Sequence, residues 1–138
     1  MDTSALVKLV VKEEGSEAVG ELCVRSRGVA CSSLGYVEGH AAAARRWPKD
    51  RADDIRKDLD RIWTDLIVVN ADEDVLVEAA ALAPRHRLRG YDAVHLASAT
   101  LLNERAGPIL FACWDNDLNA AAERQGLELS SSLQTPPI

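Results

Sequence analysis

Leu66-Ile-Val-Val-Asn70 is a short apolar run held between two stretches of a different character. On its amino side Ile55, Leu59, Ile62, Trp63 and Leu66 recur at helical spacing from Lys49 onward. On its carboxyl side Val75, Leu76, Ala79, Ala80 and Ala83 form a second helical stripe, which Pro84 is expected to end. A β-branched run too short for a helix, flanked by two helices, reads as a buried strand.

The same alternation extends outward. Val29-Ala-Cys-Ser32 and Ile109-Leu-Phe-Ala-Cys-Trp114 read as further strands. Tyr91 to Asn103 reads as a helix opened after Gly90, and Leu118 to Gln125 as another, stopped by Gly126. Strands alternating with helices imply βαβ units and a parallel sheet covered on both faces. The fold class is therefore α/β, organised as one domain over 1–129 with an irregular tail over 130–138.

Composition narrows the class. The chain has 138 residues, 47% of them hydrophobic, which suits one compact core. No run of about 18 apolar residues occurs, so no membrane span is expected. The start, Met1-Asp-Thr-Ser-Ala-Leu-Val-Lys8, lacks the basic n-region of a secretory signal. Cys23, Cys31 and Cys113 are odd in number and widely spaced, which suits free thiols in a reducing cytoplasm. The net charge of −6 excludes binding of nucleic acid by bulk attraction. A nucleic-acid enzyme of this composition needs a local basic patch, bound cations, or both.

In open α/β sheets, sites form beyond the carboxyl ends of the strands, where helix N-termini also point. The carboxylates near such junctions are the candidates. Asp2 precedes the apolar run Ala5–Val11, where a plain N-cap explains it equally well. Asp92 opens an otherwise apolar helix, and capping is again the ordinary explanation. Asp115 follows the Ile109–Trp114 strand and Asp117 precedes the last helix; one cap does not need two acids. Glu38 has Leu34, Ala41 and Ala42 as helical neighbours, which puts a carboxylate on an apolar face at some cost. Converging acids repel, and Mg²⁺ or Mn²⁺, which prefer carboxylate and water oxygens, relieve that repulsion. Such a site activates water for phosphodiester hydrolysis.

Four segments carry a resemblance: Asp2-Thr-Ser-Ala-Leu-Val-Lys-Leu9, Ser32-Ser-Leu-Gly-Tyr-Val-Glu38, Arg89-Gly-Tyr-Asp-Ala-Val-His-Leu-Ala-Ser-Ala99 and Trp114-Asp-Asn-Asp-Leu-Asn-Ala-Ala-Ala-Glu-Arg-Gln-Gly126. In this order they resemble the PIN domain, specifically the VapC-type toxins. The resemblance implies a three-layer α/β/α sandwich around a central parallel sheet and Mg²⁺- or Mn²⁺-dependent cleavage of RNA. It also implies a homodimer and inhibition by a small antitoxin protein. Asp2, Glu38, Asp92 and Asp115 match the metal-binding, catalytic acids, with Asp117 auxiliary. Thr3 and Ser4 match the hydroxyls beside the first acid, which would hold it or a metal-bound water.

One departure stands out. Members of the family usually carry several apolar residues ahead of the first Asp, forming the central strand, and here only Met1 stands there. The expectation is that the native protein begins upstream. For a chain beginning at Met1, Asp2 should be mobile or displaced, and the sheet should show a gap beside its middle.

The required basic patch is present in sequence. Arg85-His-Arg-Leu-Arg89 lies just before Asp92, and Arg45 follows Glu38 by two helical turns, on the same face. Arg45, Arg85, Arg87 and Arg89 are candidates for RNA phosphates, although exposed arginines often serve only solubility. The mixed charges of Asp50 to Asp65 read as a solvated face. His95, one turn beyond Asp92, reads first as a satisfied, half-buried histidine, with orientation of Asp92 or proton transfer as the other reading. No histidine pair has zinc-ligand spacing. An aspartyl-phosphate phosphatase would want an acid two residues after its early Asp, where Ser4 stands. A glycine-rich nucleotide loop is absent. The rival of a different kind is a non-catalytic PIN-like module that only dimerises or captures a partner.

Overall fold

The computed structural model describes residues 1–133. In chain order it contains α1 (Thr3–Lys8), α2 (Ser16–Arg25), β1 (Ala30–Ser32), α3 (Leu34–Arg46), α4 (Lys49–Trp63) and β2 (Ile67–Val69). There follow α5 (Glu73–His86), α6 (Gly90–Ala106), β3 (Leu110–Phe111), α7 (Asn116–Arg124), β4 (Glu128–Leu129) and a 3₁₀ turn, Ser130–Leu133. The strands expected around Val29, Leu66 and Ile109 are all present, each shorter than its apolar run.

Every strand pairing is parallel. β1 pairs β2 with Ala30 opposite Ile67 and Ser32 opposite Val69. β3 pairs β4 with Leu110 opposite Glu128. These are two separate two-stranded pieces, and Met1–Asp2 lies between them. The Met1 amino group donates to Ala30 O at 2.7 Å, and Asp2 N donates to Ala112 O at 3.1 Å. Successive residues bonding to opposite sides is what a central strand does. Among the described strands β1 and β3 do not pair with each other, and this dipeptide bridges them.

Helices cover both faces. One core cluster gathers Val75, Leu82, Leu96, Phe111 and Leu118 from α5, α6, β3 and α7. The other gathers Leu6, Val7, Cys31, Ala43, Ile55 and Leu59 from α1, β1, α3 and α4. Helix, sheet and helix thus form the three layers of an α/β sandwich. Ala93 through Thr100 of α6 are all buried, as expected of a helix that is apolar all round and central. In contrast α4 buries only Ala52, Ile55 and Leu59 and turns its charges outward.

Four local readings need correction. Pro84 does not end α5, which runs on to His86. The proline sits in the exposed last turns, where its missing N–H removes one rung, and Arg87 closes the helix in the left-handed region at φ 55°. Helix α2 had no expectation, because its only buried residue is Val19 and it shows no long apolar stripe. β4 is two residues long and equally unmarked. The tail read as irregular begins with the Ser130–Leu133 turn, and residues 134–138 lie outside the described residues.

Candidate active site

Asp2 is neither mobile nor displaced: it is 5% exposed and held on both oxygens. Its Oδ1 caps α1 by accepting from Ala5 N at 3.1 Å and also accepts from Ser4 Oγ at 2.7 Å. Its Oδ2 accepts from the Cys113 thiol at 3.1 Å. The expectation of a displaced first acid fails because the cap, the hydroxyl and the thiol fix it from three directions.

Cys113 continues the connection. Asp115 N donates to its sulfur at 3.2 Å, and Asp115 Oδ1 caps α7 by accepting from Leu118 N at 2.9 Å. Trp114 N donates to Ser4 Oγ at 2.9 Å. The first and last acids are thus tied through one thiol and one hydroxyl. Burial raises the Cys113 pKa, and the negative charge of Asp2 raises it further. The sulfur therefore remains a neutral thiol, able to donate to Asp2.

Glu38 projects from α3 and is held through a single oxygen. Thr3 Oγ donates to Oε1 at 2.8 Å, and His95 Nε2 lies 2.5 Å from the same atom. Both contacts fall on Oε1, which leaves Oε2 open. Burial pushes the Glu38 pKa up, but hydrogen bonds from His95 and Thr3, with the charges of His95 and Arg45, lower it overall. Two expectations change here. Thr3 holds Glu38 and not the first acid, because α1 turns its hydroxyl toward α3. His95 is not half-buried and satisfied: it is 3% exposed, its partners are Glu38 and Thr3, and its Nδ1 has no hydrogen-bond partner.

Asp92 stands in the first turn of α6 and is not its cap, a position taken by Arg89. Arg89 Nε lies 3.5 Å from Asp92 Oδ2. Burial raises the Asp92 pKa; Arg89 opposes this, while the negative charges of Asp115 and Glu38 push it up further. Asp92 thus stands within electrostatic reach of both Glu38 and Asp115. Asp117 is exposed in the first turn of α7. Among the described residues no three His, Cys, Asp or Glu side chains lie close enough to grip one ion as they stand.

The arginines divide. Arg45 and Arg89 act on Glu38 and Asp92 respectively. Arg85 and Arg87 are exposed at the end of α5, without an ion pair to these acids among the described contacts. The contacts that Cys113 and His95 make with the acids were the least visible in sequence. Nothing in the spacing of Asp2 and Cys113, 111 residues apart, announces their contact.

Acids at or near the starts of α1, α6 and α7, with Glu38 on α3, beside parallel strand pairs covered by helices define an α/β sandwich domain with an acidic edge. The PIN domain family model matches residues 1–124, and the chain belongs to that family. It is similar to Ribonuclease VapC45 of Mycobacterium tuberculosis (strain CDC 1551 / Oshkosh), with 33% identity over 98% of this chain and 96% of that protein. Ribonuclease VapC49 of the H37Rv strain matches to the same extent. Ribonuclease VapC46 of that strain is 31% identical over 92% of each chain.

Proposed function

We propose that the chain is an endoribonuclease toxin of a toxin–antitoxin pair, with Asp2, Glu38, Asp92 and Asp115 as its catalytic acids and Asp117 as an auxiliary. The observation that carries this reading is the setting of the acids: Thr3 and His95 hold Glu38 through one oxygen, and Asp92 lies within electrostatic reach of Glu38 and Asp115, whose charges add to the rise that burial gives its pKa. Near-full-length similarity to three proteins named ribonucleases supports the same reading.

The donor set fits Mg²⁺ or Mn²⁺. It consists of carboxylate oxygens at one edge, with hydroxyls beside them and no imidazole pair. Mg²⁺ commonly takes only one or two carboxylates and keeps its waters, so an edge without a preformed three-ligand cage suits it. When bound, such an ion activates water and neutralises charge on the phosphate. The protein's own part is positioning. Thr3 and His95 hold Glu38 by one oxygen and leave the other free. Ser4 and Cys113 fix Asp2, and Arg89 stands against Asp92. Arg45, Arg85, Arg87 and Arg89 are all exposed and supply the local positive charge that an acidic protein needs for RNA.

The partners that go with this reading are an RNA substrate, a cognate antitoxin and a second copy of the chain. Val37 and Tyr91, next in sequence to Glu38 and Asp92, are 60% and 57% exposed, and exposed apolar side chains of this size suit a protein partner. Among the described residues no helix is long and apolar enough to cross a membrane. The cytoplasm, where RNA is available and thiols stay reduced, is the compartment this reading requires.

The test is cleavage of RNA by the purified chain with EDTA, then with Mg²⁺ or Mn²⁺ restored. Cleavage should stop and return, and Mn²⁺ should raise the melting temperature, because it binds the folded state preferentially. Cleavage that persists in chelator rules out the metal. A chain that neither binds Mn²⁺ nor cleaves is a non-catalytic module.

A further inference from the structure

The carboxyl ends of α5 and α7 meet in a cluster of cations. His86, in the last turn of α5, and Gln125, which closes α7, touch side chain to side chain, Nε2 to Nε2 at 2.8 Å. With the amide nitrogen donating, the imidazole accepts at Nε2 and carries its own proton on Nδ1. Arg85 and Arg87 flank His86 in sequence, and Arg124 precedes Gln125. All three are exposed, and none has a hydrogen bond or ion pair among the described residues. Burial lowers the His86 pKa, and the positive charges of Arg124 and Arg85 lower it further. Cations at helix carboxyl ends ordinarily offset the helix dipole. Two helix ends supply about one negative charge between them, which Arg85, Arg87 and Arg124 more than offset. Nor do these side chains cap the helices. Backbone N–H groups of Arg87 and Leu88 take Ala83 O, and those of Gln125, Gly126 and Leu127 take the last carbonyls of α7. Arg87 also stands in the left-handed region, at φ 55°, where glycine is the usual residue. Surplus positive charge on a chain of net charge −6 is a place for an anion.

We propose that this joint is a second phosphate-binding site, which takes a backbone phosphate of the RNA away from the acidic edge through His86, Arg85 and Arg124. That the anion belongs to RNA rests on the ribonuclease reading; that the joint takes a phosphate does not. Asp115 caps α7 at one end and Gln125 closes it at the other, and its 9 residues at about 1.5 Å each set the two ends roughly 14 Å apart. Between α5 and α6 stands Arg89, against Asp92, so positive charge runs on from the joint to the acids. A phosphate contact fixes register and carries no sequence information. The joint therefore governs how far the strand extends from the cut, and not which base is cut. A phosphate also reverses the repulsion on His86. The imidazolium that Arg124 and Arg85 disfavour becomes the phosphate's partner, so binding takes up a proton and tightens as pH falls.

The experiment measures binding of a labelled single-stranded RNA to the intact chain in EDTA. Arg124→Gln should weaken binding about fivefold at roughly 0.1 M salt and reduce the salt slope by about 0.7, the share of one contact to a single strand. Arg124→Lys, which keeps the charge, should recover most of that loss. His86→Gln leaves Gln125 an amide partner. It should abolish the extra tightening that the parent shows between about pH 8 and about pH 6, either side of the ordinary histidine value. Arg51→Gln removes an exposed, unpaired arginine of α4 and controls for bulk charge; it should change neither reading. Inorganic phosphate should also raise the His86 pKa in proton NMR, in the parent and in Asp92→Asn alike. An unchanged salt slope in Arg124→Gln overturns the proposal. So does the parent's full pH dependence in His86→Gln, or an equal loss from Arg51→Gln. None of these readings involves cleavage. A chain that cuts RNA with Mn²⁺ but keeps its slope in Arg124→Gln lacks the site, and one that does not cut but loses the slope has it.

Discussion

The acidic edge and the cleft lie on two sides of His95, and they are built in opposite ways. At the edge, polar groups are tied across elements far apart in sequence: Thr3 to Glu38, His95 to Glu38, Cys113 to Asp2. In the cleft of about 570 Å³ between β1 and β3, apolar side chains such as Leu22 and Leu102 surround two strands that do not pair with each other and that Met1 and Asp2 bridge at one end. The edge is fixed by side-chain hydrogen bonds between elements, the cleft by apolar packing around strand backbones. Function and stability are therefore separable in this fold, and substitutions should show it.

The largest effect belongs to the edge. Asp92→Asn or Glu38→Gln removes charge at nearly constant shape, so RNA cleavage should fall by about a thousandfold or more, on the scale of losing a key electrostatic group. The far-ultraviolet circular dichroism should not change. Activity within tenfold of the parent would take that acid out of the catalytic set and collapse the contrast between edge and cleft.

His95→Ala strikes both regions at once. It removes the partner of a half-buried carboxylate and enlarges a space beside the cleft. The expected loss is about 2–3 kcal/mol, the range for a hydrogen bond to a charged group together with the exposed need of its partner. Urea unfolding measures it. In a Glu38→Gln background the loss should shrink, because the charged partner is gone. An undiminished loss there would mean that His95 matters only as filling.

These contrasts also explain what the sequence could and could not disclose. The strands at Val29, Leu66 and Ile109 were legible because β-branched runs between helical stripes have a distinct period. Asp2, Asp92, Asp115 and Asp117 drew notice because they lie near helix starts, and Glu38 because its helical neighbours are apolar. The role of His95 was not, since it depends on the distance between α3 and α6, set by the packing of whole layers. Cys113 was hidden for a similar reason: its burial could be guessed, but its bonds to Asp2 and Asp115 could not. Pro84 misled because the rule that it stops a helix weakens in the last exposed turn.

A smaller effect should come from the arginines. Replacing Arg85, Arg87 and Arg89 with Ala should weaken RNA affinity and flatten its dependence on salt, with Mn²⁺ affinity little changed. Binding measured between 50 and 200 mM salt reads the slope directly. Since Arg89 is the one of these three with an ion pair among the described residues, the single change Arg89→Ala should account for any loss in metal binding that does occur. A parallel salt slope in the triple variant would return these residues to solubility.

The smallest effect concerns stability against pH, and there the two carboxylates of the edge should move in opposite directions. The Asp92 pKa is raised by burial and by its acidic neighbours. The folded protein therefore holds that proton more tightly than the unfolded chain does. Its ionisation costs stability, fully above the folded pKa and not at all below the unfolded value of about 3.8. Glu38 has its pKa lowered, so it contributes stability above about 4.5 that is lost as pH falls through its folded pKa. Without added metal, Asp92→Asn should therefore raise the melting temperature by a few degrees at pH 7, and the gain should fade as pH approaches 4. Glu38→Gln should lower it at pH 7, and that loss should fade at still lower pH, because the parent gives up the same interaction there. Melting curves of both variants and the parent from pH 7 to pH 3 test the pair together. If Asp92→Asn is destabilising across that whole range, the carboxylates are not in repulsion, and the acids are held apart by their neighbours and not poised for a cation.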